Sequence, residues 1–155
     1  MIKSNKLINL IFFFIICLIG AYLRIYQINF DDYWSDEIVT FWVSDPKLSF
    51  SETLNRSYNL NHGNGLFFDL ILKHFFIIFG YDPKLGRLVP LFFGILSIPF
   101  LCYLSYQINK NKSYLFTAFL ISINWYLISY SQETRTYSLT FFLAIVSIIF
   151  FFKKI

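Results

Sequence analysis

The sequence predicts an all-α membrane protein: four transmembrane helices with a long outer first loop that carries juxtamembrane helices. Three observations predict it. Of the 155 residues, 57% are apolar and only 14% charged, a balance too greasy for a soluble domain. The apolar residues fall in runs close to the ~20 residues a helix needs to cross the bilayer. Basic and acidic residues then segregate to opposite connecting segments. The 21 Phe and 11 Tyr suit lipid-facing helices and interfacial belts. The net charge of +4 is spread between apolar runs instead of gathered on one soluble face, which excludes a nucleic-acid partner.

The predicted spans are residues 7–26, 88–106, 114–130 and 138–152, the last two long enough once their Tyr and Trp ends are counted as interface. The first follows Lys3 and Lys6 and has no small-residue cleavage site, so it reads as an uncleaved anchor and not a secretory signal. Cys17 and Cys102 sit inside apolar runs without metal-ligand spacing and read as small buried hydrophobes. A fifth apolar stretch, 66–79, would rise only about 21 Å as a helix against ~30 Å of hydrocarbon. Asp69, Lys73 and His74 interrupt it, so it is expected to lie along the membrane surface. With that stretch outside the count, Lys3, Lys6, Lys110, Lys112, Lys153 and Lys154 fall on one side and all nine acidic residues on the other. Short cytoplasmic loops collect Lys and Arg. The chain is therefore expected to be a multi-pass protein of the plasma (inner) membrane with both termini cytoplasmic.

The outer loop, about residues 29–86, holds eight of the nine acids. Ser49-Phe-Ser-Glu52 is a capping box and predicts a short helix from Phe50 to about Tyr58. Asp45-Pro46 reads as a turn before it and His62-Gly-Asn-Gly65 as a flexible break after it. Asp82-Pro83 reads as an N-cap and first helical residue, leading through Arg87 into the second span.

Two clusters could carry chemistry. Asp31-Asp-Tyr-Trp-Ser-Asp-Glu37 sits just beyond the first span, where paired carboxylates could act as a general base or hold a cation, or simply form a solvated acidic loop. Tyr130-Ser-Gln-Glu-Thr-Arg-Thr-Tyr137 lies at the outer mouth of the third and fourth spans. Were that stretch helical, Tyr130, Glu133 and Tyr137 would share a face. Ionisable groups this close to hydrocarbon pair or bind something; a Glu133 to Arg135 pair is the plain alternative to a ligand site.

The order Trp-Ser-Asp36-Glu37, His62 with Gly-Asn-Gly, Gly86-Arg87-Leu-Val-Pro, then Tyr-Ser-Gln-Glu133-Thr-Arg-Thr-Tyr137 resembles the opening of GT-C-type glycosyltransferases. These are the superfamily of protein O-mannosyltransferases and the aminoarabinose transferase of lipid A. The resemblance implies that Asp36 is the base that deprotonates the acceptor hydroxyl, with Glu37 its neighbour in the site. It implies that Glu133 shapes the same pocket or holds a divalent metal ion where one is used. His62 stands where relatives carry a His or a metal-binding Glu, although Gly63 and Asn64 replace the two prolines that often follow. Arg87 and Arg135 are candidates to hold the lipid phosphate, and Tyr137 belongs to the same substrate-binding motif. The implied reaction is an inverting displacement from a polyprenyl-phosphate sugar donor to a glycan, lipid or protein acceptor on the outer face. Relatives are much longer, so the resemblance also implies that residues 1–155 are the N-terminal transmembrane module of such an enzyme. The rival expectation is a non-catalytic membrane protein, either an assembly subunit or a binder of polyprenyl phosphate without turnover.

Overall fold

The structure, a computed structural model, describes residues 2–61, 65–109 and 113–153. His62, Gly63, Asn64, Lys110, Lys112 and Lys154 lie outside the described residues. Every regular element among those described is helix: α1 (Ile2–Ile25), α2 (Ser35–Val43), α3 (Phe50–Asn61), α4 (Leu66–Phe79), α5 (Pro83–Gly86), α6 (Leu88–Asn109), α7 (Ser113–Ile123), α8 (Trp125–Gln132) and α9 (Tyr137–Lys153). Helices α1, α6, α7, α8 and α9 pack as a bundle, and α2 to α5 form a cap over one end of it.

Two segments are long and apolar enough to cross a membrane, Leu7–Ile25 and Pro83–Asn109, and the count reaches three if α8 and α9, which meet at 118°, are one broken span. These apolar helices mark a membrane protein. The stretch expected to form a third span, 114–130, is not one helix. Helix α7 stops at Ile123 after 11 residues, or about 16 Å, and Asn124 restarts the chain as α8. The Asn124 backbone is extended and its side chain accepts a hydrogen bond from the Leu127 N–H at 3.0 Å, the geometry of an N-cap. The carbonyls that α7 leaves unpaired at this break are taken up by Arg24 of α1, which donates to Ile121 at 2.9 Å and Ser122 at 3.2 Å.

Without a hydrophobic force between helices in lipid, close approach through small residues holds such bundles together. Gly94 of α6 does this against α8: a Cβ placed there would overlap the Ser131 side chain. Deeper in the bundle, Ile98, Cys102, Ala118 and Ile121 form one packed cluster, and Leu104, Ile145 and Ile149 another. Leu10, Phe14 and Leu18 of α1 stay exposed, the pattern of a lipid-facing helix.

The cap forms for local reasons that the sequence announces. The Glu52 carboxylate accepts from the Ser49 N–H and hydroxyl, both at 2.7 Å, so the capping box opens α3, which runs three residues past Tyr58. Asp82 accepts from the Lys84 N–H at 2.8 Å and Pro83 occupies the first position of α5. Asp45 accepts from the Lys47 N–H at 2.8 Å, closing the turn before α3. Helix α4 has the predicted bounds, Leu66–Phe79. Its Phe68, Leu72 and Phe76 pack on Val89 of α6 and Leu139 of α9, so the cap is bolted to the bundle by an apolar core. Asp69 and Lys73 of α4 are buried as well: Asp69 accepts from the Ser57 hydroxyl at 2.7 Å, and Lys73 donates to Thr53 Oγ1 at 2.8 Å and to the Leu48 carbonyl. The opposite side of α4 exposes Phe67, Ile77, Ile78 and Phe79.

Candidate functional site

The capped end brings together the two clusters of the sequence. Arg87 stands between α5 and α6, 6% exposed, and its guanidinium gathers the chain that follows α1. Its Nε donates to Glu37 Oε1 at 3.2 Å, and Nη2 donates to Glu37 Oε2 at 3.0 Å and to the Asp32 carbonyl at 3.3 Å. Its Nη1 donates to the carbonyls of Ile28 and Asp31, both at 2.8 Å. A guanidinium has five N–H donors, and these contacts engage all of them. The Tyr33 ring lies 5.0 Å below the guanidinium carbon, a cation–π contact. The Tyr33 hydroxyl donates to the Pro83 carbonyl at 2.6 Å and lies 2.6 Å from Thr134 Oγ1; burial pushes this phenol above its ordinary range. Gly86 is the residue that lets Tyr33 come so close, because a Cβ there would overlap the Tyr33 hydroxyl and press on Phe76 and Thr134.

Glu37 is the centre of this arrangement. It is 1% exposed and its Oε1 also accepts the Thr134 backbone N–H at 2.7 Å. One carboxylate thus ties α2 to the start of α6 and to the segment between α8 and α9. Asp36, one residue earlier, differs: its side chain is 46% exposed and lies 3.6 Å from Arg135 Nη2. Arg135 is anchored beside it by Nη1, which donates to the Asp36 carbonyl at 3.1 Å and to Thr40 Oγ1 at 2.9 Å.

The segment that supplies these contacts is not helical. Helix α8 ends at Gln132, and Glu133 has extended backbone, so the expected helical face of Tyr130, Glu133 and Tyr137 does not form. Ring contact keeps Tyr130 and Tyr137 together at 4.7 Å between centroids, but both line a large apolar cavity, whereas Glu133 lines a different, polar one. That polar cavity, about 260 Å³, is bounded by Asp31, Asp32, Glu37, Arg87, Ser129 and Glu133 among others. Glu133 accepts from the Ser129 hydroxyl at 3.2 Å. Burial, with a further contribution from the Glu37 charge, raises the Glu133 carboxyl above its ordinary value, and the Ser129 hydrogen bond opposes this.

Of the sequence-predicted residues, Asp36, Glu37, Arg87, Glu133 and Arg135 therefore meet at one end of the bundle. Tyr137 borders the neighbouring cavity, and His62 lies outside the described residues. Among the described residues no three His, Cys, Asp or Glu side chains are placed to hold a metal ion, so Glu133 has no described partner set for the cation role. Sequence reasoning missed Thr134, whose N–H and hydroxyl both reach into the node, and Arg24, buried near the end of α1. Arg24 had a legible signal, as an ionisable group inside an apolar span is expected to be partnered and functional. Thr134 had none, since its part is played by a backbone N–H. No family model, curated protein or solved structure matches the chain.

Proposed function

We propose that the chain is the N-terminal module of a GT-C-like glycosyltransferase that moves a sugar from a polyprenyl-phosphate donor to an acceptor outside the plasma membrane. The chain crosses the bilayer four times, with α7 and α8 together as the third crossing, and both termini are cytoplasmic. The observation that carries this reading is the half-exposed Asp36 carboxylate held beside Arg135, one residue from Glu37, which lines a polar cavity together with Glu133. A general base must be able to reach a hydroxyl. Asp36 has the exposure for that; Glu37 does not.

The roles divide accordingly. Asp36 takes the acceptor proton as the acceptor oxygen attacks the anomeric carbon and polyprenyl phosphate leaves. Glu37 and Arg87 are positioning residues that fix the start of α2 and the strand-like segment at Glu133. Arg135, adjacent to Asp36, is the cation that meets the departing phosphate. A second reading, binding of polyprenyl phosphate without turnover, draws on the engagement of Arg87 and Glu37 with each other, which makes much of the charge structural.

Adding polyprenyl-phosphate-linked hexose or pentose to the detergent-solubilised chain and following polyprenyl-phosphate release separates these readings. Transfer requires release by the wild type and its loss in Asp36→Asn with donor retention unchanged; retention without release by the wild type establishes the binder. The topology has its own check. An Asn59→Cys side chain on α3, exposed in the structure, should react with an impermeant thiol reagent from outside, and Asn111→Cys should not.

A further inference from the structure

A second cavity, about 580 Å³, lies between α1, α6, α8 and α9, lined by Arg24, Gly94, Ser97, Tyr137, Phe141 and Ala144 among others. Its lining shares no residue with the polar cavity around Glu133, and nothing in the proposed transfer uses it. Its volume falls in the range of roughly 300–1,000 Å³ typical of ligand sites.

Arg24 is the unusual wall. It is 1% exposed, and its terminal nitrogens donate only to carbonyl oxygens, those of Gly20, Ile121 and Ser122. Among the described residues no carboxylate pairs with it, and its Nε, buried, has no hydrogen-bond partner. A buried cation without a counter-charge and with an unused donor is costly, and Arg24 stands one residue from the end of α1, at the end of the candidate membrane span Leu7–Ile25. Along α9 the lining runs from Tyr137 to Ala144, about 10 Å at the helical rise, a length that holds part of a hydrocarbon chain. Thr140 and Ala144 are exposed, so the cavity opens along the side of α9. An arginine buried between helices can hold an anionic headgroup through a charge-assisted hydrogen bond.

We propose that this cavity binds an anionic phospholipid of the bilayer, its phosphate oxygen accepting from the Arg24 Nε–H and one acyl chain lying along Phe141 and Ala144. The site is separate from the transfer site, so its failure leaves the reading of Asp36 untouched. Native mass spectrometry of the full chain in detergent, with dioleoyl phosphatidylglycerol or dioleoyl phosphatidylcholine added, tests it. Phosphatidylglycerol should be retained about tenfold better, the worth of one charged hydrogen bond. Arg24→Gln should abolish that preference, and Ala144→Phe should reduce retention of phosphatidylglycerol about tenfold. Because Arg24→Gln can also fail to fold, phosphatidylglycerol carrying a photoreactive acyl chain is cross-linked to the wild type, with label expected on the peptide that contains Phe141 and Ala144. Equal retention of the two lipids, label confined to other peptides, or displacement by equimolar polyprenyl monophosphate would overturn the assignment.

Discussion

Glu37 and Asp36 are neighbours in α2, yet the structure treats them as opposites. A step of one residue turns the helix by about 100°, which carries Glu37 into the node with Arg87 and Thr134 and leaves Asp36 facing the open side with Arg135. Glu37 is 1% exposed, whereas the Asp36 side chain keeps 46% of its surface. The difference separates the charges that build the site from the charge left available for chemistry. A buried carboxylate that accepts three hydrogen bonds from fixed donors holds backbone in place; a half-exposed one can still meet a hydroxyl.

The comparison breaks most sharply by mutation. Glu37→Ala leaves Arg87 buried and uncompensated, a loss of roughly 3–5 kcal/mol. Thermal unfolding in detergent should show a large drop in Tm or a failure to fold. Asp36→Asn removes only a long, half-exposed ion pair, for which roughly 0–1 kcal/mol is typical, so its unfolding curve should nearly overlay the wild type. Equal destabilisation by the two variants would mean that Asp36 is as structural as Glu37. Gly86→Ala comes next in size. The added methyl must displace the Tyr33 hydroxyl, and overpacking of this kind costs roughly 1–3 kcal/mol; Tyr33→Phe in the same chain should recover part of it if the hydroxyl is the obstacle.

How much of this was legible depends on the range of the contacts. The start of α3 at Ser49 and Glu52 and the start of α5 at Asp82 and Pro83 are set by hydrogen bonds three residues long, so the sequence shows them directly. Helix α2 was hidden in what reads as an acidic loop. Its run of Ile38, Val39 and Thr40 is β-branched and weakly helix-forming, and it holds its helix because Glu37 and Thr40 are buried against Arg87, Thr134 and Arg135. Those contacts span 50 residues for Arg87 and 97 for Thr134, distances at which no periodicity speaks. The break in the third apolar run was hidden for the same reason. Asn124 is the cap, but the carbonyls it frees are satisfied by Arg24, about a hundred residues earlier in the chain. The grouping of acids at one end was legible because it follows from which runs are apolar; the pairing among the charges was not.

The smallest effects sharpen the contrast through pH, since two glutamates at the capped end are shifted in opposite directions. The Glu133 carboxyl is raised above its ordinary value of 4.5, chiefly by burial, so the folded chain binds its proton more tightly than the unfolded one. Its contribution is full below that value and is lost as pH rises through the raised one. Glu133→Gln should therefore match the wild type in Tm near pH 4 and exceed it toward neutral pH. The Glu52 carboxyl is lowered from 4.5, first by the Ser49 backbone N–H and then by the Ser49 hydroxyl. Its stabilisation is present above the ordinary value and disappears as pH falls through the lowered one. Glu52→Gln should lie slightly below the wild type at neutral pH and converge with it in acid. Opposite slopes of the two Tm differences against pH distinguish a carboxylate kept near a polar cavity from one spent on capping a helix, and parallel slopes would remove that distinction.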